Sequence, residues 1–181
     1  MNRKFTIGVD VDGVVANLLP AWVGRYNDEW NDTLDYQRID EWDMIPFVKP
    51  ECAKLIYRYI ADPSLYDEVK PIYYSREGVK ELRRLGHRVV FVTATPVGCN
   101  GRKFQWLREW GFEPTLKDYI EAEDKSLIAT DFLVDDRDLN VTIARGEGLI
   151  FDAPYNRNLF GHPRFFNWKE VVDWFINLER K

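Results

Sequence analysis

The sequence predicts an α/β fold: a parallel sheet flanked by helices, with a small helical insertion after the first strand. Short apolar, β-branched runs at 5–9, 88–93, 131–134 and 148–151 read as buried strands. Amphipathic segments separate them, as a parallel sheet covered on both faces requires. Between the first and second strands, 31–74 is polar and aromatic, broken by Pro46, Pro50, Pro63 and Pro71, and has no strand pattern. At 181 residues the chain is long enough for one such domain with an insertion. Residues 1–14 and 75–181 are assigned to the α/β core and 15–74 to the insertion.

In chain order, Phe5, Ile7 and Val9 alternate with smaller residues and lead into Asp10-Val11-Asp12-Gly13. Val15, Leu18, Leu19, Trp22, Val23 and Tyr26 mark an amphipathic helix over 14–30, with Pro20 as a kink or boundary. In the insertion, Trp30, Phe47, Leu65 and Tyr66 are expected to form its own small core. Ser75 is placed to cap a helix over 76–85 that stops at Gly86. The strand 88–93 ends in Thr93, a Thr93-Ala94-Thr95-Pro96 turn follows, and a helix spans 101–110. The stretch 118–130, carrying Lys125, is expected to hold a short helix. The third strand ends in Asp135-Asp136, the fourth is 148–151, and Asn167 with Glu170 starts a last helix whose apolar face docks on the sheet.

Charge and composition exclude several classes. A net charge of −5 argues against a nucleic-acid polymer as partner and leaves room for a small phosphorylated molecule. Cys52 and Cys99 are far apart with no paired cysteine nearby, which suggests free thiols in a reducing compartment and no zinc site. No targeting segment or membrane span is visible, so a cytoplasmic location is expected. A homodimer is compatible with the sequence. His87 and His162 lie at no predicted strand end and receive no role.

Three strands end in chemistry: Asp10 with Asp12, Thr93, and Asp135 with Asp136. In parallel sheets that edge is where ligands bind. Side chains two apart on an extended chain point the same way, so Asp10 and Asp12 project together. Carboxylates this close repel, and a hard divalent cation such as Mg²⁺, held by Asp10, Asp12, Asp135 and Asp136, relieves that cost. Asp10 suits attack on phosphorus, and Asp12 suits proton transfer to the leaving oxygen. The Thr93 hydroxyl and Lys125 ammonium are placed to hold phosphate oxygens, with Ala94 counted beside them.

In order along residues 5–137, DVDGV after a strand, VT closing a second, Lys125, and LVDD ending a third resemble the four motifs of the haloacid dehalogenase (HAD) superfamily of phosphatases. The resemblance implies a Rossmann-like core with a C1-type cap in 15–74. It implies Asp10 as nucleophile, Asp12 as acid/base binding Mg²⁺ through its backbone carbonyl, and Asp136 as the direct third ligand. A narrower resemblance is to the 5'(3')-deoxyribonucleotidases. It rests on DVDGVVA, the small helical cap, Lys103 followed by Trp106, KSLIATDFLVDDR and FDAPYNRNL. By that resemblance Trp42, in IDEWDMI, stacks on the base and Lys103 helps bind phosphate. Leu18 departs from the aromatic of that family, and the TATP turn is one residue longer, which leaves Thr93 and Thr95 as alternatives. The function implied is hydrolysis of deoxyribonucleoside 5'(3')-monophosphates. The alternatives are a phosphatase of sugar phosphates or nucleic-acid 3' ends, and a non-catalytic nucleotide-binding protein.

Overall fold

A computed structural model describes residues 3–178. The outer limits of the expected core, 1 and 181, lie outside the described residues. Among the described residues, six strands, all parallel, run in the order β3-β2-β1-β4-β5-β6. They are β1 Thr6–Val9, β2 Arg88–Thr93, β3 Tyr119–Glu121, β4 Phe132–Asp135, β5 Glu147–Phe151 and β6 Arg164–Phe165. The described residues also hold five α-helices: α1 Leu18–Trp30, α2 Ser75–Arg84, α3 Arg102–Glu109, α4 Asp138–Ile143 and α5 Trp168–Leu178.

Register brings the chemistry together. Val9 lies level with Phe91 on one side and with Val134 on the other. The next residue on each side of the β1–β4 pair is an aspartate, Asp10 and Asp135, and the Asp10 N–H is tied to the Val134 carbonyl at 2.9 Å. After β3 the chain crosses back over β1 to build the other half of the sheet, so Asp10 and Asp135 flank the point where strand order reverses. Open α/β sheets leave a crevice at that point.

Several local expectations change. The first helix begins at Leu18 and not at Val14, because 14–16 turn back: the Gly13 N–H bonds the Ala16 carbonyl, and Ala16 bridges Asp12 and Pro71. Pro20 then falls in the first turn, where a missing N–H costs nothing. Ser75 does not cap α2; it begins the helix, buried, with its hydroxyl on the Val15 carbonyl, while Tyr74 takes the cap position at φ 63°. The short helix expected in 118–130 is a single 3-10 turn over Lys125–Leu127, and the strand β3 before it is not among the expected elements. β6 pairs only two residues, too short to leave a periodic signal. The final helix starts as expected, with the Glu170 N–H on Asn167 Oδ1 at 3.1 Å. Its Val171, Val172 and Phe175 are buried against the sheet.

Apart from α1, the chain between β1 and β2 contains short 3-10 turns, at Tyr36–Arg38, Ile45–Phe47, Ala53–Arg58 and Pro63–Asp67. A second hydrophobic cluster, with Val23, Tyr26, Ile39, Met44, Cys52 and Ile56 at its centre, packs this lobe. Trp30 and Phe47 pack against it from outside. Leu65 and Tyr66 do not belong to it; they join the cluster under the sheet, alongside Trp106. The segment that leaves the lobe is therefore built into the main core. His87 is buried against Phe5 and Phe175 in a structural setting, and both cysteines are buried free thiols. Among the described residues, no helix is long and apolar enough to cross a membrane.

Candidate active site

At the carboxyl edge of the sheet lies a cavity of about 370 Å³. Asp10, Asp12, Thr93, Lys125 and Asp136 form its polar floor. Leu18, Leu19 and Trp22 of α1, with Met44, Tyr57 and Ile60, supply an apolar wall from the lobe. Every site residue singled out in the sequence lines this cavity except Asp135, which lies directly beneath it.

Two separate ionic groups make up the floor. In the first, Lys125 Nζ sits 2.9 Å from Asp10 Oδ1 and 2.6 Å from Asp135 Oδ2, with all three residues buried. Burial acts to lower the Lys125 pKa, but the charges of Asp10 and Asp135 outweigh it and raise it, so the lysine stays an ammonium. Two of its three N–H bonds are used, leaving one donor for a substrate oxygen. Asp10 Oδ1 also accepts the Val11 N–H at 2.7 Å.

Asp135 is saturated. Beyond Lys125, it accepts from the Arg137 N–H at 2.9 Å and from Asn140 Nδ2 at 3.1 and 3.2 Å. Asp136 has a lighter load: the Tyr155 hydroxyl donates to its Oδ2, and Asn156 Nδ2 holds its backbone carbonyl at 2.7 Å. Burial first, and then the charges of Asp10 and Asp135, push the Asp136 carboxyl well above the carboxylate range. Asp135 is raised as well, by burial, with Lys125 opposing.

Oxygen atoms of Asp10, Asp135 and Asp136 lie within 4.8 Å of one another. Three buried carboxylates face a single ammonium, an excess of negative charge in a low-dielectric site. The donor set is all hard oxygen. Both features fit a small divalent cation such as Mg²⁺, with Asp10 and Asp136 offering the free lone pairs.

In the second group, Lys103 Nζ reaches Asp12 Oδ2 at 2.6 Å, Thr93 Oγ1 at 3.0 Å and the Ala94 carbonyl. All three of its donors are thereby spent on the protein. The Tyr66 hydroxyl donates to the other Asp12 oxygen. The side chain of Asp12 therefore stands apart from the cluster of Asp10, Asp135 and Asp136, clamped from two directions. Enclosure raises its pKa, with Lys103 working the other way.

Sequence reasoning missed Tyr66, Tyr155, Asn140 and Asn156. Asn140 lies in the helix that follows the Asp135 strand, and no spacing rule links the two. Tyr155 and Asn156 lie in FDAPYNRNL, a segment singled out by resemblance but given no role. No local signal marked Tyr66. Trp42 is half exposed at the cavity mouth, edge-on to the Tyr155 ring at 5.2 Å, and one face of its indole is covered by the Arg137 guanidinium at 4.8 Å.

The fold is that of the HAD-superfamily hydrolases. A haloacid dehalogenase-like hydrolase from Streptococcus pneumoniae superposes with a TM-score of 0.61 over 97% of this chain and 100% of its own, at 13% identity. A HAD-superfamily hydrolase from Geobacter sulfurreducens does so with a TM-score of 0.56 over 95% and 96%, at 16% identity. Within that class, the chain belongs to the family described as 5' nucleotidase, deoxy (pyrimidine), cytosolic type C protein, whose model matches residues 3–180. It is thus placed among phosphoric monoester hydrolases. Relatives include 5'(3')-deoxyribonucleotidases from Clostridium acetobutylicum, 30% identical over 93% of both chains, and from Bacillus subtilis, 30% identical over 93% of this chain and 96% of that one. A human protein named 5'(3')-deoxyribonucleotidase, cytosolic type, is 26% identical over 96% of each.

Proposed function

We propose that this protein hydrolyses deoxyribonucleoside 5'- and 3'-monophosphates to nucleoside and phosphate, with Mg²⁺ as cofactor and Asp10 as the covalent nucleophile. The observation that carries this reading is the separation of two aspartates two residues apart. Asp10 lies in the cation-binding cluster beside Lys125, whereas Asp12 is held outside it by Lys103 and Tyr66. One carboxylate is placed to attack; the other is placed to carry a proton.

Asp10 attacks phosphorus through a carboxylate oxygen, and the bond from phosphorus to the nucleoside oxygen breaks. That oxygen leaves with the electron pair and takes a proton from Asp12. Asp12, now ionised, removes a proton from a water that attacks the aspartyl-phosphate, releasing phosphate and restoring Asp10. Lys125 offers its remaining donor to a phosphoryl oxygen, with Thr93 and the Ala94 backbone beside it. Asp10 and Asp136, with Asp135 behind them and the Asp12 carbonyl as a further ligand, would hold Mg²⁺, which when bound would supply positive charge against the phosphoryl oxygens. Lys103 contributes through Asp12 and Thr93, since its own donors are already engaged.

The helical lobe, 15–74, acts as a cap of the C1 type over the core formed by 1–14 and 75–181. Its apolar wall takes the nucleoside, and the uncovered face of Trp42 stacks on the base. A net charge of −5 and an aromatic-lined cavity of about 370 Å³ favour a small nucleotide over a polymer. A cytoplasmic location fits this substrate and the two free thiols.

The test is phosphate release from a panel of monophosphates, each with Mg²⁺ and with EDTA. Mg²⁺-dependent release that favours deoxyribonucleotides, and is abolished by Asp10→Asn, is expected. Release from sugar phosphates alone would overturn the nucleotide assignment, and an active Asp10→Asn would overturn the nucleophile.

A further inference from the structure

Asp12 is gripped at both oxygens by groups that ride on one packed unit. Tyr66 belongs to the 3-10 turn Pro63–Asp67, by which the chain leaves the lobe; Lys103 belongs to α3. The two elements are locked together. The Tyr66 ring meets Trp106 of α3 edge-on at 5.9 Å, and the Trp106 indole N–H donates to the Val69 carbonyl at 3.0 Å. Arg102 of α3 pairs with Asp67 at 2.8 Å. Tyr66 is 7% exposed, and Trp106 is fully buried. A hydroxyl this enclosed is held in place by packing around its ring, and it points at Asp12 Oδ1.

A carboxylate held at one oxygen by a lone ammonium still turns about its side-chain bonds, because an ammonium is a point charge without directional preference. A second donor from the opposite side removes that freedom. Each carboxylate oxygen has two lone pairs, so Tyr66 and Lys103 occupy one on each and leave one on each for the travelling proton. We propose that Tyr66 is a positioning residue for Asp12: its hydroxyl holds the carboxyl away from the Asp10–Asp136 cluster and aimed at the leaving-group oxygen. Tyr66 and Lys103 belong to the same packed part of the main core, so both grips on Asp12 are set by one rigid unit. This rests on the reading of Asp12 as acid and base.

The test compares kcat/KM on two substrates: a deoxyribonucleoside monophosphate, whose alkoxide leaving group needs a proton, and p-nitrophenyl phosphate, whose leaving group needs little help. The parameter kcat/KM ends at formation of the aspartyl-phosphate, so later activation of water by Asp12 does not enter it. The ratio of the two values also cancels any unfolded fraction. Tyr66→Phe keeps the ring against Trp106 and removes only the hydroxyl. It is expected to lower kcat/KM about tenfold or more on the nucleotide, and less than about threefold on the aryl ester, as a misaimed catalytic group does. Asp12→Asn is expected to show the same selectivity with a larger loss. If Asp12→Asn is selective and Tyr66→Phe is wild-type or falls equally on both substrates, the positioning role is overturned while the acid stands. If Asp12→Asn falls equally on both, the reading of Asp12 as acid is overturned, and with it the role of Tyr66.

Discussion

Gly13 lies directly against the Asp136 carboxylate: a Cβ built on the glycine would fall 1.7 Å from Asp136 Oδ2 and 3.1 Å from the Tyr155 hydroxyl. Its φ of +70° is also one that L side chains rarely adopt. The tight turn after β1 and the position of Asp136 therefore depend on one missing methyl group. Gly13→Ala should displace Asp136, break its bond with Tyr155, and weaken Mg²⁺ binding about tenfold or more, in the range of lost supporting contacts at metal sites. The rise in melting temperature on titration with Mg²⁺ measures this; an unaltered titration would separate Asp136 from the cation.

Among the described residues, Lys125 is the one ammonium in contact with both Asp10 and Asp135, at 2.9 and 2.6 Å. Lys125→Met leaves two buried carboxylates uncompensated, and breaking a buried pair in this way costs about 3–5 kcal/mol. Urea unfolding near pH 7 should show that loss, together with loss of phosphatase activity. Protonation neutralises the orphaned carboxylates, so the stability gap should narrow toward pH 5.

Metal removal should give an inverted acid response. Burial raises Asp135 to about 6, and burial with the charges of Asp10 and Asp135 raises Asp136 well above the usual carboxylate value. An unfolded aspartate titrates near ~4, so between there and these raised values the folded chain binds more protons than the unfolded one. Stability then falls as pH rises through that window. In EDTA, the melting temperature should fall from pH 4 toward pH 7 through these groups, Asp136→Asn should flatten the fall, and Mg²⁺ should lift the neutral end. A wild-type curve as flat as that of Asp136→Asn would contradict the electrostatic description of the cluster.

Trp42 stands at the mouth of the cavity with Arg137 on one face of its ring. Stacking of a base on an aromatic side chain is worth about 1–3 kcal/mol. Trp42→Ala should raise KM for deoxyribonucleotides about tenfold, while a ring-free alkyl phosphate should be little affected. Equal effects on both would mean that Trp42 serves the packing around Tyr155 and not the base.

The chemistry of the sheet edge was legible because it is local. Asp10 and Asp12 project together by the two-residue period of an extended chain, and Gly13 marks the turn that follows. Thr93, Asp135 and Asp136 each close an apolar run whose length and β-branching announce a buried strand. Lys125 was legible only through its place in the motif order, since a lysine on a short turn carries no signal of burial. The two- and three-residue strands β6 and β3 escaped because neither is long enough to show a period, and the capping role expected of Ser75 failed because a buried contact with Val15 claimed its hydroxyl.

From the sequence alone came the alternating α/β order, the placement of acids and hydroxyl at strand ends, the aromatic insertion after the first of them, and the family resemblance. Tertiary structure alone decided how those acids divide their work. Tyr66 and Asp12 are 54 residues apart, and Tyr155 and Asp136 are 19 apart. Whether such pairs meet depends on how the lobe folds back over the sheet, not on any spacing along the chain. Likewise, Lys103 turns toward Asp12, Thr93 and Ala94 because the packing of α3 aims it there. Periodicity sets which way a side chain faces from its own element; the long-range contacts that close the fold determine what it meets.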